Sequence, residues 1–218
     1  QYVCGAWGFR TLDLMVDHRV LIPRPETEVV AGVAIAELGK QKNDEKKLVA
    51  DLGTGSGAIG LSIAAEMKNV EVILTDISTD ALQVARANLT GLGVLGATVT
   101  ICQGSWFDAL PSEYRKSFSV IVSNPPYISN SEIETLPADV KHWEPHLALV
   151  SGLKGTEFLE VIVDEAEEWL HDSGSLILEM APHQVSAISE RMNSRGYADV
   201  QVFKDLSGRD RGVSGKWN

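Results

Sequence analysis

A short apolar segment that runs into a glycine cluster and then into a helical pattern limits this chain to few folds. Residues 48–52 (Leu-Val-Ala-Asp-Leu) predict a buried strand, and residues 58–68 predict a helix with apolar side chains at helical spacing. The glycines between them, in Gly53-Thr-Gly-Ser-Gly57, permit positive φ angles and a close backbone approach to a ligand. Ligands of open α/β sheets bind at such carboxyl ends of strands. The segment therefore predicts a parallel sheet with a ligand site at the turn.

The alternation of strands and helices continues along the chain. Apolar segments predict further strands at 71–75, 97–102, 118–123 and 175–179, and helical spacing predicts helices at 25–40, 79–92, 155–171 and 183–195. Between these elements, polar and irregular composition predicts loops at 40–47 and 124–154. The tail predicts two strands, at 198–204 and 211–217. We expect an α/β fold with a mostly parallel seven-stranded sheet, helices on both faces and a C-terminal antiparallel hairpin.

Composition and charge exclude several classes of function. The 218 residues suit one substantial domain. A formal net charge of −11 argues against a broad surface for phosphates, so we expect no direct nucleic-acid partner. No apolar run approaches the ~20 residues that span a bilayer, and Cys4 and Cys102 form no disulfide framework. We therefore expect a cytoplasmic protein. As a separate expectation, the protein is a monomer. His142 and His146 have no third ligand nearby, so we expect no metal.

Acidic residues flank the glycine turn. Gly55, Gly57 and Gly60 fit the G-x-G-x-x-G pattern of dinucleotide sites, so a nicotinamide cofactor is one alternative. Asp76 ends the next predicted strand, where a carboxylate accepts hydrogen bonds from the ribose hydroxyls of any adenosine cofactor. Asp51 directly precedes the glycines, and an acid so close to the turn suits a cationic ligand better than a pyrophosphate. This placement favours S-adenosylmethionine.

A second motif, Asn124-Pro-Pro-Tyr127, follows the strand predicted at 118–123 and so lies at the same edge of the sheet. Its prolines fix φ and provide no backbone donors, which leaves carbonyls as the available polar groups. The Asn124 side-chain carbonyl and the Pro125 backbone carbonyl are suited to accept both N–H bonds of a planar amino group. Tyr127 is suited to pack on that group and to favour a cationic sulfonium. Alone, the motif also suits a rigid turn; beside the glycine turn, it predicts methyl transfer.

These residues resemble the release factor glutamine N5-methyltransferases (the HemK/PrmC family), and the resemblance runs over essentially the whole chain. Asn-Pro-Pro-Tyr also occurs in adenine-N6 and other amino-group methyltransferases, whereas Ile-Pro-Arg-Pro-Glu-Thr-Glu is far more selective for this family. The motifs that carry the resemblance are Val20-Leu-Ile-Pro-Arg-Pro-Glu-Thr-Glu28, the turn at 51–57, Asp76-Ile-Ser78, Trp106-Phe107, Ser123-Asn-Pro-Pro-Tyr-Ile128, Trp143-Glu-Pro-His-Leu-Ala-Leu149 and Asp205-Leu-Ser-Gly-Arg-Asp-Arg211.

The resemblance implies a Rossmann-like class I methyltransferase that uses S-adenosyl-L-methionine. It implies methylation of the glutamine in the Gly-Gly-Gln motif of class 1 peptide chain release factors, which would be the protein partners. The implied catalytic residues are Asn124, Pro125 and Tyr127. The implied cofactor-binding residues are Asp51, Gly53, Thr54, Gly55, Ser56, Gly57, Asp76, Ile77, Trp106, Phe107 and Asn124. The implied substrate-binding residues are Asn124, Pro125, Pro126, Tyr127, Arg24 and Glu26.

Two departures from the family pattern matter. Ser105 stands where the family usually has Asp before Trp-Phe, so we expect a weaker contact to the adenine amino group. Family members also carry an N-terminal helical domain that helps to hold the release factor, and this sequence begins near the connection after it. We therefore assign residues 1–24 to an extended linker segment and residues 25–218 to the methyltransferase domain. Without the helical domain, we expect cofactor binding to survive and substrate affinity to fall.

Two alternatives stay open at this point. One is another amino-group methyltransferase, acting on a ribosomal-protein glutamine or on adenine N6 in nucleic acid. The negative charge disfavours nucleic acid, and the Ile-Pro-Arg-Pro-Glu-Thr-Glu segment disfavours the ribosomal-protein relative. The other is a binding module for an adenosyl cofactor that catalyses nothing, which the intact 124–127 motif disfavours.

Overall fold

A computed structural model describes residues 1–41 and 46–218. Part of the loop predicted at 40–47 therefore lies outside the described residues. The strands are β1 (Ala6–Phe9), β2 (Leu12–Met15), β3 (Lys47–Leu52), β4 (Val70–Asp76), β5 (Val99–Gln103), β6 (Phe118–Ser123), β7 (Leu170–Glu179), β8 (Ala198–Lys204) and β9 (Asp210–Lys216). The α-helices are α1 (Pro25–Gly39), α2 (Ala58–Glu66), α3 (Thr79–Gly91), α4 (Ala138–Trp143), α5 (Glu157–Glu165) and α6 (Val185–Arg195).

Seven strands form one sheet in the order β5-β4-β3-β6-β7-β9-β8. Its first five strands are parallel, and β9 runs antiparallel to both β7 and β8. The central strands β3 and β6 are buried along their whole length, as expected for strands covered on both faces. The order reverses on either side of β3, and ligands of open α/β sheets bind at such a point. The predicted fold class, including the C-terminal antiparallel hairpin, is confirmed.

Alternate residues of the central strands enter two separate core clusters, one on each face of the sheet. Ala50 of β3 belongs to the cluster that contains the apolar residues of α5 and α6, such as Ile162 and Ile188. Val49, the preceding residue, belongs to the cluster that contains residues of α1 and α2, such as Val30 and Leu61. Helices therefore cover both faces, as the sequence predicts.

Two local predictions are wrong. The helix predicted at 155–171 ends at Glu165, and after a 3₁₀ turn Leu170 already begins β7. Trp169 and Leu170 continue the apolar helical spacing, but they are buried in the core next to Phe118, whose N–H donates to the Trp169 carbonyl. The second wrong prediction is the loop at 124–154, because this segment contains the short helix α4.

The leading segment forms a hairpin that packs on the main sheet domain. Phe9 and Leu14 are almost fully buried in the core cluster of α1 and α2. The Asn88 side chain on α3 accepts from the Met15 N–H at 2.7 Å and donates to the Met15 carbonyl at 3.1 Å. It also donates to the Ser56 carbonyl at 2.8 Å, so one amide joins the hairpin to the glycine turn. The boundary between residues 24 and 25 stays a prediction.

Residues 1–41 and 46–218 were searched for membrane-spanning helices and for clusters of metal ligands. No helix there is long and apolar enough to cross a membrane. Nor do His, Cys, Asp or Glu side chains there gather in a group of three that would hold a metal ion.

Gly212 on β9 tests how tightly the antiparallel end of the sheet is packed. A Cβ atom at this position would lie 2.3 Å from the Leu178 carbonyl oxygen and 2.3 Å from Phe203 Cζ. We expect Gly212→Ala to lower the free energy of unfolding by about 2–3 kcal/mol, as overpacked sites do. Gly91→Ala is the control, because nothing lies within 4 Å of its Cβ position. Equal stability of both variants in urea titrations would contradict the tight packing.

Candidate active site

A cavity of about 370 Å³ opens at the carboxyl ends of the parallel strands. Segments that follow β3, β4, β5 and β6 form its wall, together with residues from the leading segment and from the loop before α5. Ten of the predicted site residues line it: Asp51, Gly53, Thr54, Gly55, Ser56, Asp76, Ile77, Trp106, Asn124 and Pro126. The parallel sheet therefore brings residues that are distant in sequence to one edge.

Two backbone N–H groups of the glycine turn donate hydrogen bonds to the neighbouring strand. The Thr54 N–H donates to the Thr75 carbonyl at 2.8 Å, and the Gly55 N–H donates to Asp76 Oδ2 at 2.9 Å. Gly53 has φ 69°, and a Cβ atom there would lie 3.2 Å from Trp106 Cζ3. Glycine is therefore required at 53 both for its backbone angle and for the approach of the indole ring.

Asp76 organises the loops around the cavity with both carboxylate oxygens. Oδ2 accepts from Gly55, and Oδ1 accepts from the Ser78 N–H at 2.9 Å, where α3 begins. Burial raises the pKa of Asp76, and the hydrogen bonds from Ser78 and Gly55 oppose that rise. The carboxylate thus ties the glycine turn to the start of α3.

Asp51 is buried beneath the turn, with 1% of its surface exposed. Its Oδ2 accepts from the Thr54 hydroxyl at 2.6 Å and from the Gly60 N–H at 2.9 Å. Burial raises the pKa of Asp51 to about 6, although both hydrogen bonds act in the opposite direction. Asp51 therefore supports the conformation of the turn and places a carboxylate in the cavity wall.

Trp106 has φ 44°, an angle that residues with a side chain seldom adopt. Its ring lies against Gly53 and against Phe158, with a centroid distance of 5.2 Å to the latter. Strained backbone of this kind concentrates at ligand sites. Phe107 differs, because it is buried in the core with its ring stacked on Trp169 at 6.0 Å and is not among the lining residues. Its position indicates a packing role.

The Asn124-Pro-Pro-Tyr127 segment leaves β6 at the cavity. Asn124 Nδ2 donates to the Thr27 hydroxyl at 3.3 Å, and both residues line the cavity. The Tyr127 carbonyl accepts from Gln184 Nε2 at 2.8 Å, and burial raises the pKa of its phenol. Pro125 and Tyr127 are not among the lining residues, so the segment meets the cavity through Asn124 and Pro126.

Arg24 and Glu26 stand beside the cavity rather than in its wall. Arg24 Nη2 donates to both oxygens of Glu144, at 2.6 and 2.7 Å, and the Glu144 side chain is almost fully buried. Glu26 lies 3.5 Å from Arg209 in the turn between β8 and β9. Arg24 and Glu26 thus each contact a different motif of the same family pattern. Gly57, the N-cap of α2, is likewise not a lining residue.

Sequence reasoning missed several wall residues. Thr27 and Pro145 lie inside motifs that were recognised, but no pattern assigned them a place at the cavity. Leu147 also lies inside a recognised motif, 143–149, whereas His18 and Phe158 come from segments that look like an ordinary loop and a helix start. Leu147 is 56% exposed, and this exposure is visible only in the folded chain.

Comparison with known proteins agrees with this geometry. Residues 33–139 match the family model "Methyltransferase small domain". The chain is 39% identical over 213 residues to a release factor glutamine methyltransferase of Rhodopirellula baltica, covering 96% of this chain and 71% of that protein. It is 38% identical to the protein of that name from Clostridium acetobutylicum, covering 98% and 73%.

The chain belongs to the release factor glutamine methyltransferase family.

Solved structures show the same fold at lower identity. A methyltransferase from Pyrococcus furiosus aligns with a TM-score of 0.65 at 18% identity, covering 95% of this chain and 89% of that one. The N-terminal domain of human METTL16 in complex with SAH aligns with a TM-score of 0.66 at 15% identity, covering 94% and 75%.

This member of the release factor glutamine methyltransferase family is an S-adenosylmethionine-dependent methyltransferase. Its cavity fits that cofactor on three observations. The glycine turn has room for close backbone approach at Gly55, where nothing lies within 4 Å of the Cβ position. Trp106 and Ile77 offer apolar surface for a planar base, and Asp51 and Asp76 supply the negative charge that a sulfonium and ribose hydroxyls require.

The raised pKa of Asp51 predicts a pH-dependent gain of stability in Asp51→Asn. Because burial raises the folded-state pKa from 3.8 to about 6, ionisation of Asp51 opposes folding as pH rises across that window. Asn has an oxygen that accepts from Thr54 and Gly60 but never ionises. The difference in unfolding free energy, variant minus wild type, should increase by about 2–3 kcal/mol between pH 4 and pH 7.

The control for this experiment is Asp13→Asn at an exposed position of the hairpin. Urea denaturation at four pH values would supply the free energies. A pH-independent difference for Asp51→Asn would show that the carboxylate is not destabilised by burial.

Proposed function

We propose that this enzyme transfers a methyl group from S-adenosylmethionine to N5 of the glutamine in the Gly-Gly-Gln motif of class 1 peptide chain release factors. The observation that carries the proposal is Asn124, whose side-chain amide stands in the cavity wall with its Nδ2 already bonded to Thr27. That bond leaves Oδ1 as the acceptor for an incoming N–H. The names of the 38–39% identical relatives support the substrate.

The cofactor would be held by the edge of the sheet. We assign the methionine part to the 51–57 turn, the ribose to Asp76, and the adenine to Trp106 with Ile77. Ser105 lines the cavity next to Trp106 and offers a hydroxyl where the family has a carboxylate. We therefore expect a weaker hydrogen bond to the adenine amino group than in other members.

The bound cofactor supplies an electrophilic methyl group, and the protein must prepare the acceptor nitrogen. An amide nitrogen is a weak nucleophile because its lone pair is delocalised into the carbonyl. Asn124 Oδ1 and the Pro125 carbonyl would accept its two N–H bonds and hold it in one orientation. In the part of the chain that the structure describes, no backbone donor is bonded to the Pro125 carbonyl. The substrate amide would supply that donor.

The neighbouring residues would shape the substrate side of the cavity. Tyr127 would cover the planar amide, and Pro126 would border it. Arg24 would act through its ion pair with Glu144, which fixes the loop that carries Pro145 and Leu147 over the cavity. Glu26 would act in a similar way through Arg209.

We further infer that the enzyme acts in the cytoplasm as a monomer. Cys4 and Cys102 are both free, as suits a reducing compartment. We also keep the prediction that an N-terminal helical domain raises substrate affinity without changing cofactor affinity. Equal KM values for the release factor with and without such a domain would refute it.

The test is methyl transfer from labelled S-adenosylmethionine to a purified class 1 release factor and to the same factor with Gln→Ala in Gly-Gly-Gln. We expect label in the first protein and none in the second. Asn124→Ala should lower kcat by about 100-fold or more, since orientation of the nitrogen is lost, while cofactor affinity stays within about threefold. Asn193→Ala, on the exposed face of α6, is the control.

The same experiment also tests other methyl acceptors. Label in a ribosomal protein or in an adenine-containing oligonucleotide, and none in the release factor, would replace the proposed substrate. Cofactor binding without transfer to any of them would favour a binding module.

A further inference from the structure

The buried side chain of Gln184 is not used by the proposed chemistry. Gln184 lies between β7 and α6, and 2% of its surface is exposed. It is the N-cap residue of α6, yet its side chain makes no capping hydrogen bond to that helix. Buried side-chain amides in proteins are nearly always hydrogen-bonded, so the partners of Gln184 indicate what it holds in place.

Three hydrogen bonds join the Gln184 side chain to three segments of backbone. Its Nε2 donates to the Tyr127 carbonyl at 2.8 Å and to the Gly155 carbonyl at 3.1 Å. Its Oε1 accepts from the Ala181 N–H at 3.0 Å. A primary amide has two N–H bonds and one carbonyl oxygen, so both of its donors are used. The Gln184 amide therefore connects the 124–127 segment to the loop before α5 and to the turn after β7.

The 124–127 segment has few other attachments. In the described ranges, no backbone-to-backbone hydrogen bond involves residues 125–127, and its two prolines have no N–H to donate. The position of the segment therefore depends on side-chain contacts. Because the prolines also fix φ, a displacement of the Tyr127 carbonyl is transmitted along the segment to the Pro125 carbonyl. The bond from Gln184 thus determines where both carbonyl groups lie.

The packing around Gly155 supports this role independently. Gly155 has φ 81°, and a Cβ atom there would lie 2.7 Å from the Tyr127 carbonyl oxygen and 2.9 Å from Gln184 Nε2. Neither atom is the far end of a group that is free to move, because the hydrogen bond joins them. Glycine is therefore required at 155 both for its backbone angle and for the approach of the two carbonyls to one amide.

We propose that Gln184 is a positioning residue whose side-chain amide holds the Tyr127 carbonyl and thereby sets the position of the 124–127 segment in the active site. The Pro125 carbonyl and the Tyr127 ring are then in place before the substrate arrives, so no free energy is spent on arranging them during the reaction. The effect on catalysis rests on the proposed function, whereas the position of the segment is a property of the enzyme alone.

The first experiment compares Gln184→Met with Met192→Ala. Met has nearly the length of Gln but neither donates nor accepts as an amide does. Met192 is fully buried two turns further along α6, so Met192→Ala leaves a gap that lowers stability and keeps the Gln184 amide. We expect kcat to fall about 10- to 100-fold in Gln184→Met and to stay within about threefold in Met192→Ala. Cofactor affinity should stay within about threefold in both, since the Gln184 bonds are to other segments than the cofactor turn.

A second pair of variants displaces the same carbonyl from the opposite side. Gly155→Ala places a Cβ atom against the Tyr127 carbonyl, whereas nothing lies within 4 Å of the Cβ position of Gly208. The φ angles, 81° and 82°, are matched, so Gly208→Ala introduces the same backbone strain without the contact. We expect kcat to fall about 10- to 100-fold in Gly155→Ala and to stay within about threefold in Gly208→Ala.

A nuclear magnetic resonance signal reports the Tyr127 carbonyl without any substrate. The dipeptide Tyr-Ile occurs once in the sequence, at residues 127 and 128. Labelling Tyr with ¹³C at the carbonyl and Ile with ¹⁵N therefore gives a single cross-peak for this peptide bond. The cross-peak should shift in Gln184→Met and in Gly155→Ala, because the hydrogen bond to the carbonyl is lost or displaced. It should stay in place in Met192→Ala and Gly208→Ala.

Each outcome bears on one of the two proposals. An unchanged cross-peak in Gln184→Met, a shifted cross-peak with wild-type kcat, or an equal loss of kcat in Met192→Ala would overturn the inference. Absence of methyl transfer by the wild type to any acceptor would overturn the proposed function instead, and the cross-peak would still decide whether Gln184 positions the segment. Should Gln184→Met fail to fold, Gln184→Asn takes its place, because its amide is one methylene too short to reach both carbonyls.

Discussion

The hydrogen bonds of the Asp76 carboxylate hold together the two loops on which the site depends. One oxygen binds the glycine turn after β3 and the other binds the start of α3 after β4. This arrangement requires the register in which Leu52 pairs with Thr75, because a shift by one residue would turn the side chains at the strand ends to the opposite face. Parallel pairing of β3 with β4 and β6 therefore does more than form the core. It places the cofactor turn and the Asn124 segment on the same edge.

Those parts of the fold and site that depend on local pattern follow from the sequence. The glycine turn, the position of Asp76 and the Asn-Pro-Pro-Tyr segment all follow directly after apolar strands, so the sheet geometry brings them together. The same reasoning predicts the antiparallel tail. Reasoning from local pattern fails at Trp169. This residue fits both the apolar face of a helix and the start of a strand, and tertiary packing decides between the two. The spacing of apolar residues carries no information on that packing.

Parts that depend on distant pairs cannot be predicted in this way. Arg24 and Glu144 are 120 positions apart, and Thr27 and Asn124 are 97 apart. Motif recognition gave Arg24 a place in substrate binding, but the structure shows its guanidinium engaged with a buried carboxylate of another motif. Phe107 illustrates the opposite case. It adjoins Trp106 in a recognised motif, yet successive residues of a tight turn face different ways, and one enters the core while the other enters the cavity.

Two buried acids, Asp51 and Glu179, lie at the ends of strands near the active site and differ in their hydrogen bonds. Asp51 and Glu179 are each 1% exposed, and burial raises the pKa of both, so each lowers the stability of the fold near neutral pH. Asp51 accepts from Thr54 and Gly60, whereas Glu179 Oε2 has no hydrogen-bond partner among the described residues. A carboxylate enforces one direction on the hydrogen bonds around it, because it only accepts. Asp51 does so for the turn that meets the cofactor. The loss of stability at Asp51 is therefore linked to the hydrogen bonds that fix the turn. An apolar replacement would restore stability but would leave the Thr54 hydroxyl and the Gly60 N–H without this acceptor.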